Sequence, residues 1–134
     1  MEWSVELDEN ERFIRATEWG DFDLDDQASF LSDIFTSPYW RPGFGVLIDY
    51  RDLNLATLTE GDLEAIRVIF QSVRKRIEAS KLAIFCATDE SFEIGKAFAE
   101  LMAPKVENQV VVFRDENAAI AWLTAGTPGG STSA

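Results

Sequence analysis

Histidine is absent from this 134-residue sequence, and cysteine occurs once, as Cys86. Without histidine, a single chain cannot form a Ser-His-Asp or Cys-His relay, or a metal site that uses imidazole. A lone cysteine cannot form an internal disulfide, which fits a reducing cytoplasm. Most common catalytic architectures are therefore excluded, and we expect no enzymatic activity, no metal and no cofactor.

Long apolar runs and an excess of positive charge are also missing. The longest apolar segments have the length of a strand, far below the ~20 residues that span a bilayer, and the N-terminus lacks the pattern of a signal peptide. The sequence has 24 acidic and 12 basic residues, a net charge of −12. Such a surface repels phosphate backbones and anionic headgroups, so we expect a cytoplasmic protein with no nucleic-acid binding and no membrane insertion.

The strand signals come in two kinds. Apolar and polar residues alternate over residues 3–7 and 12–19, with turn-forming residues between them, and this pattern predicts a β-hairpin. Almost wholly apolar segments at 44–50, 82–87 and 109–113 predict strands that are covered on both faces, as in a parallel sheet.

Helical spacing of apolar residues fills the intervals between these strands. The predicted helices cover 24–36, 60–80, 92–103 and 115–124. The sequence therefore predicts an α/β fold: a mixed β-sheet of about five strands, an antiparallel hairpin followed by parallel strands, with about four helices. This domain would occupy residues 1–124, and the Gly/Ser/Thr-rich residues 125–134 would form a flexible tail.

Polar residues follow the predicted buried strands, at the edge where open α/β sheets bind ligands. Two arginines, hydroxyl groups and helix N-termini would converge there if the strands are neighbours. They could receive an anion, a phosphorylated side chain or a polar ligand head. The alternative is that they are ordinary caps and turn residues. The candidate ligand-binding or partner-binding residues are Asp49, Tyr50, Arg51, Thr59, Thr88, Asp89, Ser91 and Arg114.

An aromatic cluster surrounds the loop at 37–43, which contains two prolines and a glycine. Its members are Phe35, Tyr39, Trp40 and Phe44. They could line an apolar pocket, form a dimer contact, or close the core of their own domain. Because the sequence also has four tryptophans, we expect apolar area that a homodimer would cover.

Three further features favour structural over functional interpretations. The acidic run Asp21, Asp23, Asp25 and Asp26 lacks the spacing of a calcium loop and suits a helix N-terminus. The thiol of Cys86 lies within an apolar strand, which is typical of an inert buried residue. The basic segment 74–76 falls late in a long predicted helix, where cations complement the helix dipole.

Three segments resemble the SpoIIAA-like, or STAS-like (anti-sigma factor antagonist-like), bacterial proteins. They read GVLIDYRDLNLATLTEGDL at 45–63, LAIFCATDESF at 82–92 and VVFRDENAAIAWL at 111–123. A hydrophobic strand ending in Asp-Tyr-Arg is a feature of that group, as is a terminal helix with the pattern of Phe113, Ala119, Trp122 and Leu123. The resemblance spans about residues 3–124 and implies a STAS-like fold.

The resemblance also implies a function. In the anti-sigma antagonists, phosphorylation of a serine at the start of the next helix switches partner binding; that position falls here on Leu58, with Thr59 beside it. The fold also resembles the lipid-binding CRAL-TRIO domain. We therefore expect a non-enzymatic regulatory or binding module that contacts a partner protein or small ligand at residues 49–59, 88–92 and 114–115, called the rim below. The alternative is a carrier of a small apolar, lipid-like molecule.

Overall fold

The computed structural model of the protein describes residues 1–102 and 109–125. These residues form five strands and five helices, in the order β1-β2-α1-β3-α2-α3-β4-α4-β5-α5. The strands are β1 (Glu2–Leu7), β2 (Phe13–Asp21), β3 (Gly45–Asn54), β4 (Lys81–Phe85) and β5 (Val110–Phe113). The helices are α1 (Leu24–Thr36), α2 (Glu60–Ser72), α3 (Arg74–Glu78), α4 (Asp89–Met102) and α5 (Glu116–Thr124). Except for Ala125, the predicted tail at 125–134 lies outside the described residues.

The five strands form one sheet in the order β1-β2-β3-β4-β5. β1 pairs antiparallel with β2, and β2 to β5 pair in parallel. Asp8 holds the hairpin turn, because its Oδ2 accepts the backbone N–H groups of Asn10 at 3.2 Å and Arg12 at 3.3 Å. This arrangement confirms the predicted mixed sheet with an antiparallel hairpin at one edge.

Helices cover both faces of the sheet, but unequally. The larger core joins α1, α2 and α4 to one face, with Phe30, Phe70 and Phe98 among its buried residues. The smaller core lies between α5 and the opposite face, called the α5 face below, and contains Leu47 and Leu123. Successive side chains of a strand point to opposite faces, which is why neighbouring apolar residues of β3 enter different cores.

Two glycines allow helices to approach the sheet closely. A Cβ atom at Gly95 of α4 would lie 3.0 Å from both Cys86 Sγ and Val112 Cγ1. A Cβ atom at Gly45 of β3 would lie 3.1 Å from Leu123 Cδ2 of α5. These contacts are tighter than ordinary van der Waals contacts, so a larger side chain at either position would push a helix away from the sheet.

Two of the predicted helices, α1 and α2, begin where the sequence indicated, and each start is capped. Asp23 caps α1 by accepting the backbone N–H of Asp26 at 2.9 Å. Thr59 caps α2 by accepting the N–H of Asp62 at 3.1 Å, and the Asp62 carboxylate accepts the N–H of Thr59 at 3.0 Å. This reciprocal pair is a capping box, which satisfies two backbone donors at once.

The long helix predicted for 60–80 is divided into α2 and α3 at Val73. Before the break, the Ser72 hydroxyl donates to the Ile69 carbonyl at 2.6 Å. The Val73 N–H donates at 3.2 Å to the Phe70 carbonyl, three residues back instead of four. Back-bonding by a serine hydroxyl competes with the helical ladder and bends it, and here the backbone turns before α3 begins.

Strand β3 is longer than the apolar run that predicted it. It continues to Asn54 because Asp52, Leu53 and Asn54 pair with the last three residues of β2. Asp49, Tyr50 and Arg51 consequently lie within the strand, whereas the sequence placed them at its carboxyl end. Helix α4 likewise starts earlier than predicted, at Asp89.

Candidate functional site

The three consecutive candidates in β3 point to different faces of the sheet. Tyr50 is fully buried in the larger core. Asp49 and Arg51 share the α5 face, where both contact residues from neighbouring elements. The predicted rim is therefore divided by the sheet into a charged side next to α5 and a side next to α2 and α4.

Four charged residues form a cluster on the α5 face, called the arginine cluster below: Arg15, Asp49, Arg51 and Glu116. Asp49 is only 2% exposed, and its Oδ2 lies 2.9 Å from Arg51 Nη2 and 3.7 Å from Arg15 Nη1. Glu116 comes from the first turn of α5, and its Oε2 lies 2.8 Å from Arg15 Nη1 and 3.8 Å from Arg51 Nη2. The cluster thus alternates two guanidinium groups with two carboxylates.

An aromatic ring packs against the guanidinium group of each arginine. The guanidinium carbon of Arg51 lies 5.2 Å from the centroid of the Phe85 ring, and that of Arg15 lies 5.9 Å from the Phe13 ring. Both rings are buried. The hydrogen bond from Arg51 to Asp49, together with the charge of Asp49, raises the pKa of Arg51 above its usual value. The arginines are therefore permanently charged and held in place.

Hydrogen bonds organise the loop between β4 and α4. Thr88 Oγ1 accepts the backbone N–H of Ser91 at 3.1 Å, and Ser91 Oγ accepts that of Thr88 at 3.2 Å. Arg114, directly after β5, donates to the carbonyl of Ala87 at 3.0 Å and forms an ion pair with Asp89. The structure thus brings Arg114 together with Thr88, Asp89 and Ser91 on adjacent loops.

A surface depression of about 190 Å³ opens on the side of the rim next to α4. It lies between the end of β3 with its following loop and the start of α4, and polar and apolar groups both line it. Its lining residues are Leu53, Asn54, Leu55, Ala56, Thr88, Glu90, Ser91 and Ile94. Thr88 and Ser91 are the predicted site residues that line it.

Thr59 has a structural role in the capping box of α2. Its hydroxyl is an acceptor for the N–H of Asp62, as a helix cap requires. The side chain is exposed.

A buried polar group lies beneath the rim, in the larger core. Glu18 of β2 is fully buried, and neither of its carboxyl oxygens has a hydrogen-bond partner. Burial raises the pKa of Glu18 to about 8, against a smaller lowering by the neighbouring Tyr50 hydroxyl. Gln27 Nε2 of α1 donates to Tyr50 Oη at 3.5 Å, while Gln27 Oε1 is unpaired. Burial and the nearby Glu18 also raise the pKa of Tyr50.

The predicted aromatic cluster packs largely within its own domain. Phe35 is buried, and its ring meets that of Trp40 edge-on with centroids 5.5 Å apart. Trp40 Nε1 donates to Ser80 Oγ at 2.8 Å, and the Arg41 guanidinium stacks 4.2 Å above the Phe44 ring. Tyr39 is 38% exposed. A dimer contact through this loop stays a prediction.

The remaining candidates are held by local interactions. Asp21 accepts from Asn54 Nδ2 at 2.9 Å, and Asp23 caps α1. Burial raises the pKa of the Cys86 thiol to about 11, so the thiol is protonated and unreactive at neutral pH. Arg74 donates to Glu78 at 2.9 Å.

Three charged residues at this end of the sheet were not predicted from the sequence: Arg15, Glu18 and Glu116. Arg15 and Glu116 lie 101 positions apart and meet only through the register of β2 and β3 and the position of α5. The burial of Glu18 could have been predicted from the sequence, because in an alternating strand it shares a face with Ile14 and Ala16.

Within the described part of the chain, no group of three or more acidic, histidine or cysteine side chains could hold a metal ion. No helix in these residues has the length and apolar character needed to cross a membrane.

The order of elements, the single mixed sheet and the crossover helices define an α/β domain, and its fold is SpoIIAA-like. No family model and no curated protein matches the chain. A similar solved structure is an uncharacterized protein of the DUF3478 family with a SpoIIAA-like fold, from Shewanella loihica PV-4. It is 14% identical, with a TM-score of 0.58, and the match covers 91% of this chain and 92% of that chain. This similarity confirms the predicted fold and, at that identity, shows the fold alone.

Proposed function

We propose that this protein is a non-enzymatic, STAS-like regulatory or binding module whose rim contacts a partner protein or a small ligand. The observation that carries the proposal is the depression between the end of β3 and the start of α4. It lies outside the carboxyl ends of parallel strands, where open α/β sheets bind ligands. Arg114 donates to the carbonyl of Ala87, the residue before the lining residue Thr88, and supplies a cation to a molecule whose net charge is −12.

The chemistry of the rim supports binding rather than turnover. Two of its carboxylates are engaged with arginines, Asp49 with Arg51 and Asp89 with Arg114. The chain has no histidine to act as a general base, and the Cys86 thiol is protonated because burial raises its pKa to about 11. An activated nucleophile with a base beside it, which covalent catalysis requires, is not found among the described residues.

A site-specific photo-crosslinker tests where partners or ligands bind. Ala56 is exposed and lines the depression, whereas Val68 is 56% exposed on α2 and does not line it. We expect discrete adducts in cells from a crosslinker at position 56 and fewer or none from position 68. Equal, diffuse labelling from both positions would count against the rim as the binding surface.

A substitution in the rim provides the second measurement. Arg114→Gln removes a guanidinium from the rim, and Arg74→Gln removes one from α3 with the same change in net charge. Because a hydrogen bond to a charged group contributes about 1.5–3 kcal/mol, the rim variant should lose roughly tenfold or more in affinity for the crosslinked molecule. The α3 variant should bind like the wild type.

Carrying a small apolar molecule is the alternative function, and it has less support. Two of the aromatic residues that would line its pocket, Phe35 and Trp40, pack against each other. Native mass spectrometry distinguishes the two functions. Additional mass on the freshly purified protein that leaves on denaturation, with an apolar composition, would favour the carrier. A protein adduct from position 56 without such mass would favour the module.

A further inference from the structure

The arginine cluster carries an inference that rests on the proposed function, since it concerns the chemistry recognised on the α5 side of the rim. A single oxygen, Glu116 Oε2, lies 2.8 Å from one guanidinium and 3.8 Å from the other. That oxygen marks a position between two cations where an oxyanion is stabilised by both Arg15 and Arg51. In this structure the oxyanion at that position is the carboxylate of Glu116, a residue of the protein itself.

We propose that Arg15 and Arg51 form a binding site for an oxyanion, a carboxylate or phosphate group, and that Glu116 is its internal competitor. On binding, the ligand takes the place of the Glu116 carboxylate, which turns outward to solvent. The site would then hold two guanidinium groups and the Asp49 carboxylate, a net charge of +1 that suits an anionic ligand.

The two carboxylates of the cluster differ in how easily a ligand can displace them from the arginines. Asp49 is buried, and its Oδ1 also accepts the backbone N–H of Arg51 at 2.9 Å, so it belongs to the framework of the strand. Glu116 is 30% exposed and belongs to the first turn of α5. An ion pair that is partly open to solvent contributes only modestly to stability, so a ligand carboxylate or phosphate can replace Glu116 at a small cost.

The two arginines are placed to meet a ligand from solvent. Their side chains are 28% exposed for Arg15 and 45% exposed for Arg51, although the rings beneath them are buried. A guanidinium has five N–H donors in a planar fork that matches a carboxylate or a phosphate. Rings below and Asp49 beside the guanidinium groups fix their orientation before a ligand arrives, which reduces the entropy lost on binding.

Replacing Glu116, the internal competitor, tests the proposed oxyanion site most directly. Inorganic phosphate and acetate are titrated into ¹⁵N-labelled protein at constant ionic strength, and the backbone amides of residues 15 and 51 are followed by NMR. Glu116→Gln and Glu116→Ala should bind phosphate up to about fivefold more tightly than the wild type, the equivalent of opening one ion pair that contributes about 1 kcal/mol. A matched control is Glu93→Gln on α4, which removes the same charge from an exposed pair with Lys96.

A double variant, Arg15→Gln with Glu116→Gln, should not show the tighter phosphate binding expected of Glu116→Gln alone. Asp49 keeps Arg51 as its partner in this variant. Thermal unfolding checks that each variant is folded. If Glu116→Gln and Glu93→Gln bind phosphate equally, only the change in net charge matters and the proposal is overturned. Retention of the gain in the double variant would also overturn it, because the anion would then bind elsewhere.

Comparing free phosphate with a short phosphoserine peptide distinguishes the possible sources of the oxyanion. Equal affinities indicate a small anion, and a peptide at least about tenfold tighter indicates a group presented by a protein; both results support the site. The outcome is separate from that of the crosslinking experiment. Tighter phosphate binding by Glu116→Gln without adducts at position 56 would contradict the proposed rim function only, and the reverse result would contradict the oxyanion site only.

Discussion

The buried carboxyl group of Glu18 should make the stability of this protein depend on pH in an unusual direction. Glu18 is fully buried between β2 and the larger core, and both of its oxygens are without hydrogen-bond partners. A carboxylate in such a place loses its hydration, and the neighbouring Tyr50 hydroxyl and the N-terminal ammonium group offset only part of that cost. Burial therefore raises the pKa of Glu18 from 4.5 to about 8, and the folded protein holds a proton there at neutral pH.

The magnitude follows from the two pKa values. Below pH 4.5 the group is neutral in the folded and the unfolded chain, so the contribution to stability is fully present. Between pH 4.5 and about 8 only the folded chain binds the proton, so raising the pH reduces the free energy of unfolding by about 1.4 kcal/mol per pH unit. The whole interval corresponds to roughly 5 kcal/mol, a large share of the ~5–15 kcal/mol that stabilises a domain.

Glu18→Gln is the corresponding perturbation, because glutamine has the shape of a protonated glutamate and cannot ionise. Urea unfolding followed by tryptophan fluorescence at pH 5, 6, 7 and 8 gives the free energy of unfolding of both proteins. We expect the stability of the variant relative to the wild type to increase by about 3–4 kcal/mol from pH 5 to pH 8. Glu6→Gln in β1 is the control, since that side chain is exposed.

The informative quantity is the difference in the free energy of unfolding between the wild type and Glu18→Gln. Other carboxylates act in the opposite direction: the hydrogen bonds and charge of Arg12, for example, hold the pKa of Asp8 below its usual value despite partial burial. These groups titrate alike in the wild type and the variant, so they cancel. If the curves for wild type and Glu18→Gln stay parallel from pH 5 to pH 8, Glu18 is ionised or hydrated in the folded protein and the reasoning is refuted.

Three further predictions concern packing, capping and reactivity. Gly95→Ala should destabilise the domain by about 1–3 kcal/mol in thermal unfolding, since overpacking against Cys86 and Val112 outweighs the gain in helix propensity of about 1 kcal/mol. Gly61→Ala, whose Cβ would lie 3.7 Å from its nearest neighbour, is the control, and an increased melting temperature for Gly95→Ala would contradict the packing argument. Thr59→Ala should cost about 1 kcal/mol in urea unfolding while Thr59→Ser costs less, and equal losses would show that the hydroxyl cap contributes nothing. The Cys86 thiol should react with a thiol reagent at pH 8 far more slowly in the folded than in the unfolded protein, because burial raises its pKa to about 11; equal rates would mean that the strand opens readily.

The architecture was predictable because its signals are local. Alternating residues in β1 and β2, apolar runs in β3, β4 and β5, and helical spacing between them determine the element order and the mixed sheet. Features that depend on a specific partner were not predictable. The break at Val73 follows a hydrogen bond from the Ser72 hydroxyl to the backbone, and the extra length of β3 comes from its pairing with the end of β2.

The candidate site was predictable only in part, for a related reason. Asp49 and Arg51 could be found because they follow an apolar run, but their partners come from distant segments. In the register of β2 and β3, Thr17 pairs with Asp49, and this pairing brings Arg15 to the same cluster. Glu116 joins them only because α5 returns across that face.

Strand β2 connects the two charged regions of this sheet. Arg15 and Glu18 lie three residues apart, so the alternation of the strand sends one to the α5 face and the other into the larger core. Arg15 forms ion pairs with carboxylates, whereas Glu18 forms no ion pair among the described residues, and its raised pKa favours the protonated form. A charged residue at an inward position of an otherwise apolar strand is therefore the sequence signal to examine first, because burial without a partner must change its protonation.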